Sequence, residues 1–161
     1  MKRIVLALGI AALLGAFAVW WFSPVQVVKR RTLALLETLT LDPGGGSTRR
    51  MRAYSLNALL APVVELNTPA LDEANGSFER AELESAFDSL CQHAKQTRFE
   101  LRKFHSIRAS GGQADVSLTL LALVELQDHR PADGIYQAAF RWRRVDGVWR
   151  LARADWDQAA R

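Results

Sequence analysis

The sequence has a single cysteine among its 161 residues, Cys91. One cysteine cannot form an intramolecular disulfide, and neither a Cys-x-x-Cys pair nor a cysteine–histidine zinc spacing is present. Cys91 lies in a helical pattern beside Leu83, Phe87, Leu90 and Ala94, where a buried apolar role is favoured over a reactive thiol. The sequence therefore predicts neither a disulfide scaffold nor a metal site.

Motifs that cradle phosphates or present a catalytic nucleophile are also missing. There is no Gly-x-Gly-x-x-Gly run, no P-loop and no Gly-x-Ser-x-Gly elbow. The glycine run at residues 44–46 follows a predicted helix rather than a strand, so it is not the geometry of a phosphate-binding loop. We expect no cofactor, and we assign no catalytic residue from the sequence.

The chain has only a small excess of positive over negative side chains. The chain has 21 lysine and arginine residues against 17 acidic residues, and Lys2 and Arg3 belong to an apolar N-terminal segment. The remainder carries a surplus of only two positive charges, which predicts a mixed, solvated surface. We therefore expect no nucleic-acid partner.

The one long hydrophobic run lies at the N-terminus. Residues 4–22 contain no charge, and as a helix they would extend about 28 Å, close to the thickness of a hydrocarbon core. Trp20 and Trp21 fall at the far end, where indole rings favour the membrane interface. Lys2 and Arg3 keep the short N-terminus in the cytoplasm. The segment thus predicts a single-pass anchor with the rest of the chain outside.

Two observations keep other interpretations open. Residues 16–18, Ala-Phe-Ala, match the small-x-small pattern recognised by signal peptidase, so cleavage would leave a chain beginning at Val19. The basic run at residues 29–31 lies near the membrane on the other side and weakens the orientation argument. Because Val19 would begin an unusually apolar mature end, we interpret residues 1–22 as a signal-anchor helix and residues 23–161 as one domain.

Helical patterns fill the first part of that domain. Ser23 and Pro24 form a helix-start signal, and apolar residues at helical spacing predict a first helix over residues 24–41. A second helix is expected over residues 47–61, where Pro62 stops it.

A short strand and a third helix are expected next. Residues 63–66 predict the strand. Ser77 is expected to cap the third helix, which then runs to about residue 95.

The last 64 residues change to the period of strands. Gly111-Gly112 and Asp146-Gly147 are hairpin-turn signals. The predicted strands cover residues 99–107, 116–126, 136–144 and 148–156. Helices that precede an antiparallel sheet must pack on one of its faces, which predicts an α+β fold: three helices on a curved antiparallel sheet, with a cone-shaped hollow between them.

The last hairpin carries a family resemblance. Residues 141–151, RWRRVDGVWRL, resemble the final hairpin of the nuclear transport factor 2-like superfamily, which has the cystatin-like α+β cone. The whole chain is similar to membrane-anchored bacterial members of that superfamily. The resemblance implies the cone fold and often a homodimer through the sheet. Together with the anchor predicted at residues 1–22, we expect a place in the bacterial inner membrane with the domain facing the periplasm or exterior. It implies no activity, because the superfamily contains isomerases, dehydratases, epoxide hydrolases, transport factors and assembly modules.

Polar residues that could line the cone are few. Enzymes of the superfamily work with a buried base beside a tyrosine or a second acid. The candidates for that role are Tyr54, Asp88, His93, His105, Tyr136 and Asp155. His105 shares strand parity with Phe99, Leu101 and Ile107 and is the best candidate for an inward polar group. We expect Tyr54, His105 and Tyr136 to line the cone, although the superfamily's catalytic patterns do not match this chain residue by residue.

The opposite face of the sheet is the candidate interface. On the predicted strand 116–126, Leu121 and Leu123 alternate with the residues of the inner face, so they lie on the outer face although they are apolar. Arg141 and Arg143 lie in the tryptophan-rich last hairpin. We expect a homodimer, or a contact with another membrane or periplasmic protein, on this face. The sequence favours a membrane-tethered, non-enzymatic interaction domain, with a small-ligand-binding module and an acid–base enzyme as alternatives.

Overall fold

The computed structural model describes residues 2–44, 46–68, 75–127 and 130–158, with side chains except at residues 2–8, 11, 46, 47 and 50. The predictions that fall outside this part concern Gly45, residues 69–74, Asp128, and the side chains of Lys2, Arg3 and Arg50.

The described residues form four helices and six strands. The helices are α1 (Lys2–Trp21), α2 (Pro24–Leu39), α3 (Gly46–Asn57) and α4 (Arg80–His93). The strands are β1 (Leu60–Asn67), β2 (Gly76–Glu79), β3 (Ala94–Ser110), β4 (Gln113–Leu126), β5 (Ala132–Val145) and β6 (Val148–Gln158).

The N-terminal helix and α2 are joined by a bend. Pro24 begins α2 as predicted, because its missing N–H is not needed in the first turn, and Ser23 occupies the N-cap position without a side-chain cap bond. No single helix in the described part of the chain is both long and apolar enough to cross a membrane. The segments Ala12–Trp21 and Pro24–Leu39 meet that test only as a pair, bent by 52°.

The second predicted helix is too long. Helix α3 ends at Asn57, and Pro62 lies inside β1 rather than at a helix end. Proline is tolerated there because the β1–β6 pairing is irregular between Leu60 and Glu65, so no regular ladder bond requires its N–H.

The predicted cap of the third helix is also wrong. Ser77 pairs with Glu65 in the short antiparallel β1–β2 ladder, so it belongs to a strand. Glu79 takes the N-cap position instead, and its backbone N–H donates to the Glu82 carboxylate at 2.7 Å in a capping box. Helix α4 therefore starts at Arg80.

The sheet is mixed, not purely antiparallel as predicted. Its strand order is β2-β1-β6-β5-β4-β3, and β1 runs parallel to β6 while the other neighbours are antiparallel. The Leu151 N–H donates to the Leu59 carbonyl at 2.8 Å, which joins the end of the helical half to the closing strand. A parallel pair needs a long connection, and here almost the whole domain provides it.

Both predicted hairpin turns are confirmed. Gly111 and Gly112 have φ of 57° and 77°, and Asp146 and Gly147 have φ of 50° and 79°. Two successive left-handed residues are what a type I′ turn requires, and that turn matches the right-handed twist of the strands it joins.

The core lies between the helices and one face of the sheet. On β4, Val116, Leu118 and Leu120 are buried, whereas the alternate residues Leu121 and Leu123 are only half-buried on the outer face. The described core cluster contains no residue of α1 and extends from α2 to β6. The core of residues 23–158 is therefore built without the N-terminal helix.

Candidate functional site

A cavity of about 540 Å³ opens between the helices and the inner face of the sheet. Its floor is formed by strand residues such as Phe99, Phe140 and Leu151, and its roof by α2 and α4. Its described lining residues are all apolar or aromatic: Leu35, Leu39, Leu56, Leu60, Val64, Leu66, Leu83, Ala86, Phe87, Leu90, Phe99, Phe140, Leu151, Ala154 and Trp156. The cone is therefore open and hydrophobic.

The mouth of the cavity lies along α4. Ala86 lines the cavity and is solvent-exposed, while Leu66, Leu83 and Trp156 are half-buried around it. Ala86 is therefore the position on α4 where the described cavity lining meets solvent.

An aromatic cluster shapes the floor. Trp156 lies edge-on to Phe99 with ring centroids 5.8 Å apart, and its ring is 5.9 Å from that of Phe140. Trp142 is fully buried and Trp149 is 7% exposed, so both belong to the core. All three indoles face the helices, since they follow the inward parity of β5 and β6.

The inward placement predicted for His105 is wrong. Strand β3 has three irregularities in its pairing with β4, and the two at Arg102 and His105 leave Leu101, Phe104 and Ile107 facing the core. Each extra residue of a bulge shifts the parity of the strand by one. His105 is exposed on the outer face, where its Nε2 lies 2.7 Å from the hydroxyl of Thr119.

The two tyrosines predicted to line the cone are not among its described lining residues. Tyr54 is 76% exposed on α3. Tyr136 is half-buried on β5 and packs against the edge of the core, opposite Gln158. Sequence periodicity could have placed Tyr136, since it shares parity with Ala138 and Phe140, but it could not show that the cavity ends before it.

The remaining acid–base candidates also lie away from the cavity. Asp88 accepts a hydrogen bond from Gln92 at 2.8 Å, and the exposed His93 ring contacts the Ser89 carbonyl at 2.8 Å. Asp155 lies on the outer face of the sheet. No described lining residue carries a titratable side chain, and the described residues contain no cluster of three metal ligands. The cavity therefore offers shape and hydrophobicity rather than proton transfer.

Charged side chains on the outer face form an ionic network. Arg153 donates to Asp155 through Nε and Nη2, both at 2.8 Å, and its Nη1 lies 3.0 Å from Glu65. On the next strands, Arg141 Nε donates to Asp115 at 2.8 Å. The hydrogen bond from Arg153 holds the pKa of Asp155 below its ordinary value. The same bond raises the pKa of Arg153 above its ordinary value. Arg141 is thus engaged within its own chain.

A small apolar patch lies farther along the same face. Leu121 is directly opposite Ile135 on β5, and Ile135 is 50% exposed. Leu123 is half-buried two residues farther along β4. These residues agree with the prediction that β4 has apolar side chains outside the inner face, while their role in an interface remains a prediction.

Arg49, at the start of α3, has a structural role. Arg49 donates to the backbone carbonyls of Asp42, Cys91, Ala94 and Lys95, at 2.6 to 3.2 Å. It thereby holds the α2–α3 loop against the end of α4 and the start of β3. Such a cation at the C-terminal end of a helix is favoured by the helix dipole.

No protein-family model matches the chain, and no curated protein matches it. Solved structures do match. An NTF2-like protein from Cytophaga hutchinsonii has 16% identity and a TM-score of 0.65, and the match covers 86% of this chain and 100% of that one.

Two further structures give a similar result. A candidate dehydratase of the NTF2-like family from Streptomyces avermitilis has 17% identity and a TM-score of 0.63 over 85% of this chain and 96% of that one. A candidate aromatic ring hydroxylase from Novosphingobium aromaticivorans has 12% identity and a TM-score of 0.68, and the match covers 84% of this chain and 88% of that one. The domain therefore has the NTF2-like α+β cone fold, as the last hairpin predicted.

Proposed function

We propose that this chain is a membrane-tethered, non-enzymatic module that binds an apolar small molecule in the cone of its domain. The observation that carries the proposal is the open cavity of about 540 Å³ with an apolar lining. Its volume lies within the range of roughly 300–1,000 Å³ that is typical of small-molecule sites.

The lining defines the class of ligand. A polar group that enters this cavity would lose its bonds to water and gain none from the described lining side chains, at a cost of roughly 2–7 kcal/mol. Apolar cavities stay dry and accept hydrocarbon or aromatic ligands. The ligand is therefore an uncharged aromatic or aliphatic compound, or the hydrocarbon part of a lipid whose polar end stays at the mouth beside Ala86.

Catalysis is not part of the proposal. Two of the structures that share the fold are described as a candidate dehydratase and a candidate hydroxylase. At 17% and 12% identity this likeness extends only to the fold, and the described cavity lining provides no acid–base pair.

The tether is the apolar N-terminal helix. The described large side chains of α1 are exposed around its circumference, including Leu13, Leu14, Phe17 and Val19. A helix that is apolar on all sides is suited to a hydrocarbon environment. With Lys2 and Arg3 in the cytoplasm, the domain would face the periplasm or exterior of a bacterial inner membrane.

Self-association is a second candidate function, favoured by the outer-face patch. Leu121, Leu123 and Ile135 are neighbours in the sheet and each keeps part of its apolar surface exposed. A second copy of the same face would cover them symmetrically. This function is compatible with ligand binding, because the patch and the cavity lie on opposite faces of the sheet.

Binding of N-phenyl-1-naphthylamine, an uncharged fluorescent probe, tests the proposed cavity function. The chain without residues 1–22 avoids detergent, which would dissolve the probe. We expect saturable binding that Ala86→Trp weakens by at least about tenfold, equivalent to about 1.4 kcal/mol, because the indole would occupy the mouth. The control is Ala81→Trp, on an exposed position of the same helix that does not line the cavity. Equal binding by both variants would contradict the proposal.

A further inference from the structure

Two pairs of arginines lie directly opposite each other across β5 and β6. Arg141 pairs with Arg153, and Arg143 pairs with Arg150. Side chains at directly opposed positions lie on the same face, and like charges in such positions are destabilising. Negative charge beside such a pair offsets this repulsion.

The first pair is compensated within the chain. Asp115 binds Arg141, while Asp155 and Glu65 bind Arg153, all at 2.8 to 3.0 Å. Three carboxylates thus surround two guanidinium groups.

The second pair has a third arginine beside it instead of carboxylates. Arg31 on α2 donates from Nη1 to the Ala58 carbonyl at 3.5 Å, and Arg150 donates from Nη1 to the same oxygen at 3.3 Å. Arg150 also reaches the Leu60 carbonyl at 3.4 Å. The side chains of Arg31 and Arg150 therefore converge on one carbonyl, and Arg143 is the register partner of Arg150 on β5.

The described residues place no counter-charge beside these three arginines. Within the described part of the chain, no carboxylate lies within 4.0 Å of Arg31, Arg143 or Arg150. Burial, and then the charge of Arg150, lowers the pKa of Arg31 below its ordinary value. Each guanidinium has five N–H donors, and the long bonds to Ala58 and Leu60 use only a few of them.

We propose that Arg31, Arg143 and Arg150 form a binding site for a phosphate-type oxyanion. Guanidinium groups bind phosphate oxygens through paired N–H donors, and three of them match an anion that has several oxygens and up to two charges. The bound anion supplies the negative charge that Asp115, Asp155 and Glu65 supply to the neighbouring pair.

The anion can have two sources with the same chemistry. Arg31 lies seven residues after Pro24, about 10 Å along α2 from its start near the end of α1. A phospholipid headgroup is therefore within reach if α1 lies in a membrane, and a free phosphate or soluble phosphate ester is the other source. The site is separate from the apolar patch, because Arg143 lies eight residues from Ile135, roughly 26 Å along β5.

Isothermal titration of the full chain in dodecyl maltoside with inorganic phosphate and pyrophosphate tests the site. Sodium chloride at equal ionic strength controls for screening. We expect saturable binding of at least one anion, and Arg31→Gln and Arg150→Gln should each weaken it by about tenfold or more. Arg143→Gln provides a variant at an exposed position, where folding is not at risk. Arg108→Gln, which removes an exposed arginine elsewhere on the sheet, should leave binding unchanged.

Nanodiscs distinguish the two sources. If the anion is a headgroup, phosphatidylglycerol should raise the unfolding temperature of the protein relative to phosphatidylcholine. It should also abolish the binding of inorganic phosphate in the titration. Arg150→Gln should remove both effects of the lipid. If it is a soluble anion, phosphate should bind equally in the two lipids. The proposal is overturned if no anion binds, or if Arg108→Gln weakens binding as much as the three site variants do.

Discussion

Arg153 and Asp155, two residues apart on β6, form a forked ion pair on the outer face of the sheet. Residues two apart on a strand share a face, which brings the Arg153 Nε and Nη2 atoms to 2.8 Å from the two carboxylate oxygens. Glu65 on the parallel neighbour β1 binds the remaining arm of the same guanidinium. The pair thus links the closing strand to the strand that follows the helices.

This ion pair predicts a pH dependence of stability. The pKa of Asp155 is lowered from its ordinary value of 3.8, chiefly by the hydrogen bond from Arg153. The stabilisation is therefore complete above about pH 4 to 5 and is lost as the pH falls through the lowered pKa of the folded state. Since the Arg153 and Asp155 side chains are 39% and 31% exposed, we expect about 1 kcal/mol or less. Urea unfolding between pH 2 and 7 measures it, and the effect should disappear in Asp155→Asn.

Trp149 is predicted to be essential for the fold. It is 7% exposed on the inner face of β6, and a buried tryptophan removes roughly 200 Å² from water. Trp149→Ala should lower the free energy of unfolding by about 3–5 kcal/mol. Urea denaturation of residues 23–161 measures this change. Arg108→Ala, at an exposed position, is the control and should change stability by about 0.5 kcal/mol or less; a Trp149→Ala variant of equal stability would contradict the prediction.

Residues 23–161 are predicted to form a dimer through the outer-face patch. Leu121→Asp with Leu123→Asp would bury charges in that interface, at several kcal/mol per ion, and should raise the dimer Kd by at least about a hundredfold. Sedimentation velocity at micromolar concentration measures the change. Met51→Asp is the matched control, because Met51 is an exposed apolar residue on α3, away from the sheet. A wild-type domain that sediments as a monomer would exclude the dimer.

The N-terminal helix is predicted to stay attached to the domain. Two observations support this prediction. Residues 4–22 carry no charge, and Phe17, Trp20 and Trp21 form an exposed aromatic cluster whose ring centroids are 5.7 to 6.2 Å apart. Arg30 lies 4.4 Å from the Trp21 ring and fixes the junction with α2. In a bacterial host the protein should resist extraction by alkaline carbonate. N-terminal sequencing that begins at Val19 would show cleavage instead.

Local chemistry determined much of the fold. Pro24 begins α2, Gly111-Gly112 and Asp146-Gly147 form their turns, and the alternation on β4 gives its buried face. These features depend on the backbone angle φ that a single residue can adopt, or on the repeat of apolar residues within one helix or strand. They could therefore be predicted from the sequence alone. The cone between helices and sheet followed from the order of those elements, and the likeness to the NTF2-like superfamily was a resemblance of the last hairpin.

Only the tertiary structure decided which residues meet. The bulges at Arg102 and His105 turn His105 outward, because they depend on pairing with β4 and not on the sequence of β3 alone. The parallel β1–β6 pair likewise joins residues about 90 positions apart. The open apolar cavity and the uncompensated arginines are likewise each assembled from segments that are distant in the sequence. Packing between such segments produces no periodic pattern in the sequence, so it could not be predicted from it.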